Sequence, residues 1–158
     1  MTDKSPMTPR GKKLLEEELK NLLSVERPNV IKAIEEARDH GDLSENAEYD
    51  AAKEKQALVE GRINELQAKL ATAEVVNPAD LNEDRVVFGA TVSLENCDTG
   101  EEVKYQIVGV DEADVKAGLI SVMSPMSRAM IGKREGDAIT VNTPSGDNEF
   151  EIAKIEYI

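Results

Sequence analysis

The sequence predicts an α+β chain in two parts. An antiparallel α-helical hairpin over residues 1–78 is followed by a small α+β domain with a mainly antiparallel sheet over residues 79–158. Three observations lead there. Apolar residues recur at three- and four-residue steps from Leu15 to Ala73, the spacing of one helix face. Asn77-Pro78-Ala79-Asp80 interrupts that pattern, and period-two, β-branched segments follow it. Charged residues make up 32% of the chain and aromatics 3%. That balance suits an exposed helix pair better than one large core.

Taken in order, Met1 to Met7 reads as a short disordered lead-in. Thr8-Pro9 then gives a helix start, a hydroxyl cap followed by proline at the first helical position. The first helical segment spans Pro9 to His40. Leu15, Leu19 and Leu22 form one stretch of its stripe, and Val30, Ile34 and Ala37 the next. Leu22 to Val30 is a step of eight rather than seven, so the stripe slips by one residue across Arg27-Pro28. Proline cannot donate to the helical ladder, and a kink or short break is expected there. The second segment, Glu45 to Glu74, has a cleaner seam: Ala52, Val59, Ile63, Leu66, Leu70 and Ala73. Each stripe is narrow, so each helix needs the other. At 1.5 Å per residue, a thirty-residue helix would reach about 45 Å, which predicts a thin rod with its turn at the far end.

Beyond the linker, Val86-Val87-Phe88, Ala90 to Leu94, Val103 to Val108, Leu119 to Val122, Ala138 to Val141 and Glu149 to Tyr157 read as strands. Asp98-Thr99-Gly100 reads as a hairpin loop. Pro125 to Ile131 is a short helix that Gly132 ends. Pro144-Ser145-Gly146-Asp147 separates the last two strands.

Composition narrows the function. The formal net charge is −13, so attachment to a nucleic-acid backbone by charge alone is disfavoured. The charge is uneven. Residues 1–79 hold 12 Lys/Arg against 16 Asp/Glu, and residues 80–158 hold 7 against 16. Cys97 is the single cysteine, which leaves no intrachain disulfide and no thiolate zinc cluster. No apolar run is long enough to span a bilayer, and residues 1–7 lack the apolar core of a signal peptide. A cytoplasmic protein without membrane contact is the expectation.

The turn of the hairpin is the chemically dense stretch. Gly41 can end one helix, and Ser44 or Asp42 can cap the next. A reversal alone does not need Asp39, Asp42, Glu45, Glu48 and Asp50 within one short window. Asp42 and Glu45 could ligate a hard divalent cation such as Mg²⁺, although two side chains alone would hold it weakly. The same Asp42-Leu43-Ser44-Glu45 string fits a reciprocal helix cap, and capping is the commoner outcome of that spacing. Arg38 and Lys53 flank the turn from opposite helices. They could meet a phosphate or serve as solvated partners for nearby acids. His40 could shuttle a proton, but a helix C-terminus also favours an exposed imidazole.

Elsewhere the chemistry is sparse. Asp111-Glu112-Ala113-Asp114 spells a helicase-associated string, yet the phosphate-cradling loop such a motor requires is absent. It reads as a polar loop after the strand ending at Val108-Gly109. No serine or cysteine is paired with the one histidine, so nucleophilic hydrolysis in isolation is disfavoured. Methionines and small residues in Ser124 to Ile131 suit either a partner surface or a small core.

Over nearly its whole length the chain resembles the Gre family of bacterial transcript cleavage factors. The resemblance rests on Pro6-Met7-Thr8 with Gly11, Glu18-Leu19 and Arg27-Pro28, and on Glu36-Ala37-Arg38-Asp39-His40-Gly41-Asp42-Leu43-Ser44-Glu45-Asn46-Ala47-Glu48-Tyr49. It continues through Glu60-Gly61-Arg62-Ile63, Phe88-Gly89-Ala90-Thr91-Val92, Ile107-Val108-Gly109, Ser124-Pro125, Ile131-Gly132-Lys133 and Ile155-Glu156-Tyr157-Ile158. It implies a coiled-coil hairpin with a C-terminal domain of FKBP-like fold that lacks isomerase chemistry. It implies a partner, bacterial RNA polymerase, whose secondary channel the hairpin enters while the globular domain docks outside. The polymerase would cleave the backtracked nascent RNA, and this chain would act as a non-catalytic cofactor. Asp42 and Glu45 would complete the shell of a second, shared Mg²⁺. Arg38 and Lys53 would contact the RNA, with lysine at 53 where relatives usually carry arginine. Asn46 and Tyr49 would assist positioning, and Ser124 and Pro125 are the residues assigned to polymerase docking. Relatives that share the hairpin but inhibit polymerase define the alternative, a channel-binding modulator without cleavage.

Overall fold

The structure, a computed structural model, describes residues 4–39 and 47–158. The chain divides into two compact units. One holds Lys13–Thr72, and the other holds Ala73–Ile158 together with the described residues up to Lys12.

The helical unit forms where the seam residues fall. Helix α1 spans Pro9–Asn21, α2 Arg27–Asp39 and α3 Ala47–Ala71. Thr8 caps α1 as read: its Oγ1 accepts from the Gly11 N–H at 3.1 Å. Val30, Ile34, Val59 and Ile63 are buried together, with Leu19, Leu22, Tyr49 and Ala52 packed against them. Leu66 and Ala37 are also buried.

The first helix is not one α-helix. Between α1 and α2 lies a π-helical turn, Leu22–Glu26, closed by the Arg27 N–H bonding to the Leu22 carbonyl. An i to i−5 bond takes up one extra residue. This is the one-residue slip between Leu22 and Val30, absorbed without an open break. Pro28 follows in the first turn of α2, where its missing N–H falls beside ladder bonds that the wider turn already displaces. Ser24 Oγ adds a bond back to the Lys20 carbonyl at 2.7 Å.

The second unit is built on a five-stranded sheet of order β5-β4-β3-β7-β6. The strands are β3 Thr91–Asn96, β4 Glu102–Val108, β5 Leu119–Ser121, β6 Ala138–Thr143 and β7 Gly146–Glu156. All neighbours are antiparallel except β4 with β5. That parallel pair requires a crossover, supplied by residues 109–118 with a 3₁₀ turn at Val115–Ala117. A bulge between β3 and β7 shifts the register from Ser93↔Lys154 to Leu94↔Ile152. One face carries the core: Val92, Leu94, Ile107, Ile120, Ile139, Val141, Phe150 and Ile152, with Val86, Ala90 and Met130. Helix α4, Pro125–Met130, packs on that side through buried Ser127 and Met130. The turn at Asp98-Thr99-Gly100 is the expected hairpin loop. The Asn96 side chain accepts from the Asp98 and Thr99 N–H groups, and Gly100 sits at φ +74°.

Four expectations are corrected. Residues 5–7 are not disordered: Ser5–Met7 forms β1, which pairs in parallel with β2, Ala73–Val75. Accordingly the second long helix stops at Ala71 rather than Glu74. Val86-Val87-Phe88 is not a strand. The Val86 N–H bonds the Lys133 carbonyl and its own carbonyl accepts from Gly132. The chain then turns at Gly89, φ +92°, before a ladder can extend. Tyr157 holds this segment from the C-terminus, its hydroxyl donating to the Arg85 carbonyl at 2.6 Å and accepting from the Val87 N–H at 3.1 Å. Lastly, the strands flanking Pro144-Ser145 are longer than read, since Thr143 already pairs with Gly146.

The polar loop Asp111 to Asp114 has an inward-facing member. Glu112 is buried and takes the Thr8 hydroxyl as a hydrogen-bond donor. Arg10 Nη1 approaches its other oxygen at 3.5 Å. Nearby, Gly109 lets β1 come close: a Cβ there would stand 2.7 Å from the Pro6 carbonyl oxygen.

Two measurements check this. Gly109→Ala must push backbone aside, so it is expected to destabilise the globular unit by about 1–3 kcal/mol, read by thermal unfolding. Deleting Ser24 restores a seven-residue step between Leu22 and Val30. Helical circular dichroism at or above the parent's is expected; a large loss of helix would refute the register account.

Candidate functional site

The residues flanking the turn come from two helix ends of opposite polarity. Arg38 stands in the last turn of α2, where a cation offsets the exposed carbonyls. Glu48 and Asp50 stand in the first turn of α3, where anions favour the free N–H groups. Asp42, Glu45, Asn46, His40 and Ser44 lie outside the described residues, so the expected Mg²⁺ ligands do too. Among the described residues no group of three or more His, Cys, Asp or Glu could hold a metal ion.

The flanking residues differ in setting. Arg38 and Lys53 are exposed, and Lys53 Nζ donates to Gln56 Oε1 at 3.1 Å. Tyr49 is half-buried against the Val30, Ile34, Val59 and Ile63 cluster. Its ring therefore ties the first turn of α3 to the hairpin core. Ser124 and Pro125 sit far along the sequence, at the start of α4. Ser124 Oγ accepts from the Ser127 N–H and donates to Ser127 Oγ, which donates in turn to the Ser121 carbonyl at 2.6 Å. Ser124 is thus a helix cap with a local network, while Pro125 at the first helical position is exposed.

Sequence reasoning did not find the ion pairs that lock the hairpin flanks. Arg27 grips Glu60 with Nε and Nη2, both at 2.8 Å. Arg62 grips Glu18 with Nε at 2.5 Å and Nη2 at 2.9 Å. Each is a two-point guanidinium–carboxylate fork, a geometry lysine cannot reproduce. Arg62 also reaches Glu65 at 3.1 Å, and Lys69 meets the same carboxylate at 3.2 Å. Lys55 approaches Glu26 at 3.7 Å. The available signal was an arginine in one segment and a glutamate in the other at each level, but pairing needs the helix register, which the π turn shifts.

These forks move the carboxyl groups. The Arg62 hydrogen bonds hold Glu18 below the usual carboxylate range against partial desolvation. Arg27 does the same for Glu60. Both arginines are raised in turn by those bonds.

Comparison with known proteins covers both units. The family model described as "Transcription elongation factor, N-terminal" matches residues 5–75. A second, "Transcription elongation factor, GreA/GreB, C-term", matches residues 81–157. The chain is 57% identical over 155 residues to the transcription elongation factor GreA of Alkalilimnicola ehrlichii, covering 98% of each chain. It is 58% identical over 156 residues to GreA of Phenylobacterium zucineum, covering 99% of each. Among solved structures it is similar to GreA factor homolog 1 of Thermus thermophilus. The identity there is 28%, over 98% of this chain and 99% of that one, with a TM-score of 0.45.

A depressed carboxyl pKa stabilises the fold above the ordinary value of about 4.3. That contribution is lost as pH falls through the lowered folded value. A Glu18→Gln, Glu60→Gln double variant should therefore melt below the parent at neutral pH. The gap should narrow steadily on acidification, as followed by helical circular dichroism. A gap independent of pH would show that the forks do not contribute through charge.

Proposed function

The chain belongs to the family of GreA and GreB transcription elongation factors, and from that membership we propose that it stimulates transcript cleavage by bacterial RNA polymerase. In this reading the hairpin enters the polymerase's secondary channel and brings its turn to a backtracked RNA 3′ end. The polymerase hydrolyses the RNA; this chain is a cofactor rather than an enzyme. The observation that carries the reading is the Asp42-Leu43-Ser44-Glu45 string in the turn of a chain matched to the family in both parts.

Each named residue has a chemical task. Asp42 and Glu45 offer hard oxygen donors, the kind Mg²⁺ takes. Two carboxylates are too few to fill its shell, so the remaining ligands must come from the polymerase and the RNA phosphate. The ion would supply a polarised water and charge neutralisation at the scissile phosphate. Arg38 and Lys53 are exposed and carry the charge to hold extruded RNA. Lys53 offers a point charge rather than a planar fork. Tyr49, packed into the hairpin core, fixes the start of α3, and Asn46 lies within the same short stretch. The exposed Pro125 beside capped Ser124 is the docking position assigned to the globular unit.

The decisive comparison uses backtracked elongation complexes with Mg²⁺. Asp42→Asn and Glu45→Gln are each expected to reduce stimulated cleavage by at least about tenfold, the scale for disturbing a metal's surroundings. Folding should be retained, because loss of a helix cap costs only about 1 kcal/mol. Each variant should still compete with the parent, lowering its cleavage when added in excess. Undiminished cleavage by both variants would refute the metal role. Inhibition without cleavage by the parent would instead establish a channel-binding modulator.

A further inference from the structure

Strand β6 is the long open edge of the globular sheet, with β7 on its other side. Its six residues are Ala138, Ile139, Thr140, Val141, Asn142 and Thr143, without a charge or a proline. Natural edges are normally blunted by lysine, proline, a bulge or a cover. The Ile152 N–H bonds the Asp137 carbonyl at 2.9 Å. From that pair the antiparallel alternation directs Ile139, Val141 and Thr143 toward β7, and the N–H and C=O groups of Ala138, Thr140 and Asn142 outward. Those three residues are exposed, and Ile139 and Val141 are buried in the core. Among the described residues no backbone hydrogen bond reaches this outer edge.

The surface beside the edge has one sign. Ala138 pairs with Glu151, Thr140 with Glu149 and Asn142 with Asp147. The next strand places Glu95 opposite both Glu151 and Glu102. Like charges directly opposed on a sheet repel. None of these carboxylates has a cation at ion-pair distance among the described residues. The exposed Cys97 thiol feels the same field: desolvation first, then Glu149, Glu151, Asp98 and Glu95, push it up.

We propose that β6 accepts an extended segment of a partner protein as a sixth strand, and that this segment alternates basic with apolar side chains. Backbone groups of Ala138, Thr140 and Asn142 would pair with it, as in strand addition generally. Its apolar residues would extend the face formed by Ile139 and Val141. Its basic residues would lie on the other face, two strand spacings or about 10 Å from β7. Only short, neutral side chains stand between them and Asp147, Glu149 and Glu151. Nucleic acid does not fit, because these acids repel phosphate. A second copy does not fit either, since edge-to-edge pairing would oppose two such acidic strips on chains of net charge −13. The inference is independent of the role proposed for the hairpin turn.

The test uses the full chain and a blocked Lys-Val-Lys-Val-Lys-Val peptide, with Glu-Val-Glu-Val-Glu-Val as control. Saturable, salt-sensitive binding of the basic peptide by calorimetry is expected, with new amide-exchange protection at Ala138, Thr140 and Asn142. Thr140→Pro removes an outward N–H and no ladder bond. It should weaken binding about tenfold, the scale of one or two lost hydrogen bonds. Glu149→Lys with Glu151→Lys should weaken it as well. Should Thr140→Pro fail to fold, Thr140→Lys takes its place and should repel the peptide. The proposal is overturned by absence of saturable binding up to millimolar peptide, by equal binding of the acidic control, or by protection confined to other segments. Self-association that Thr140→Pro abolishes would overturn it too, by making a second copy the occupant.

Discussion

The hairpin exists because two narrow apolar stripes are buried against each other, and the chain reconciles them despite a register fault. Isolated helices of this length are marginal in water, and packing rather than propensity decides whether they persist. Val30, Ile34, Val59 and Ile63 supply that packing. Leu19 and Leu22 meet the same cluster from beyond the slip. A continuous α-helix would rotate one half of this stripe away from α3 by about 100° per extra residue. The π turn at Leu22–Glu26 takes up the residue and lets both halves face the partner. It holds no fully buried residue, and only its first member, Leu22, packs against the cluster, so the turn's main service is register. The Arg27–Glu60 and Glu18–Arg62 forks then fix the relative height of the helices on the flanks.

Legibility followed the range of the interaction. Thr8-Pro9, the leucine and valine stripes, the Asp98-Thr99-Gly100 turn and the short helix opening at Pro125 all act within a few residues, and each was readable from the sequence. The slip at Leu22 to Val30 was readable as a fault, but a spacing of eight does not say whether the ladder breaks or widens. Strands β1 and β2 left no signal. Each has three residues, too few for a period, and their parallel pairing joins Ser5 with Ala73. Val86-Val87-Phe88 gave a false one, since a short apolar run describes a buried coil equally well. Glu112 looked like part of a solvated loop because its partner, Thr8, is 104 residues away. The cross-helix forks were not legible, because they depend on the altered register, and the acids Asp42 and Glu45 lie outside the described residues.

The N-terminal segment has an outsized structural part for its length. The Met7 carbonyl accepts from the Val76 N–H at 2.9 Å, beside the β1–β2 ladder. Thr8 then uses one hydroxyl twice, accepting from Gly11 as a helix cap and donating to Glu112. A buried carboxylate without such donors would be costly. Gly11 and Gly109 are shaped by these approaches: a Cβ at Gly11 would stand 2.7 Å from Glu112 Oε1. Gly109 is required for closeness to backbone, while a side chain at Gly11 would have to displace the Glu112 carboxylate; neither position needs a glycine for backbone freedom, since neither has a positive φ. Both glycines also stand in the stretches that carried the family resemblance, Pro6-Met7-Thr8 with Gly11 and Ile107-Val108-Gly109.

The charge distribution bears on how such a chain could serve a reaction on RNA. Its sheet unit is strongly acidic, and Asp147, Glu149 and Glu151 of β7 and Glu95 of β3 lack cationic partners among the described residues, the lysines Lys104 and Lys154 being engaged by Glu156. Free in solution, this protein would be repelled by RNA at most approaches. A positively charged pair near the turn, Arg38 and Lys53, cannot reverse that at a Debye length of about 8 Å. On the proposed function, the polymerase would therefore supply the RNA affinity. The same logic applies to Mg²⁺. On the proposed function, Asp42 and Glu45 offered alone would hold the ion too weakly to make a nuclease of the free chain. Offered to an ion already held by other ligands, they can complete its coordination. A factor that accelerates hydrolysis only inside a stalled complex should be unable to do so outside it, and on the proposed function an acidic chain offering two carboxylates would meet that requirement.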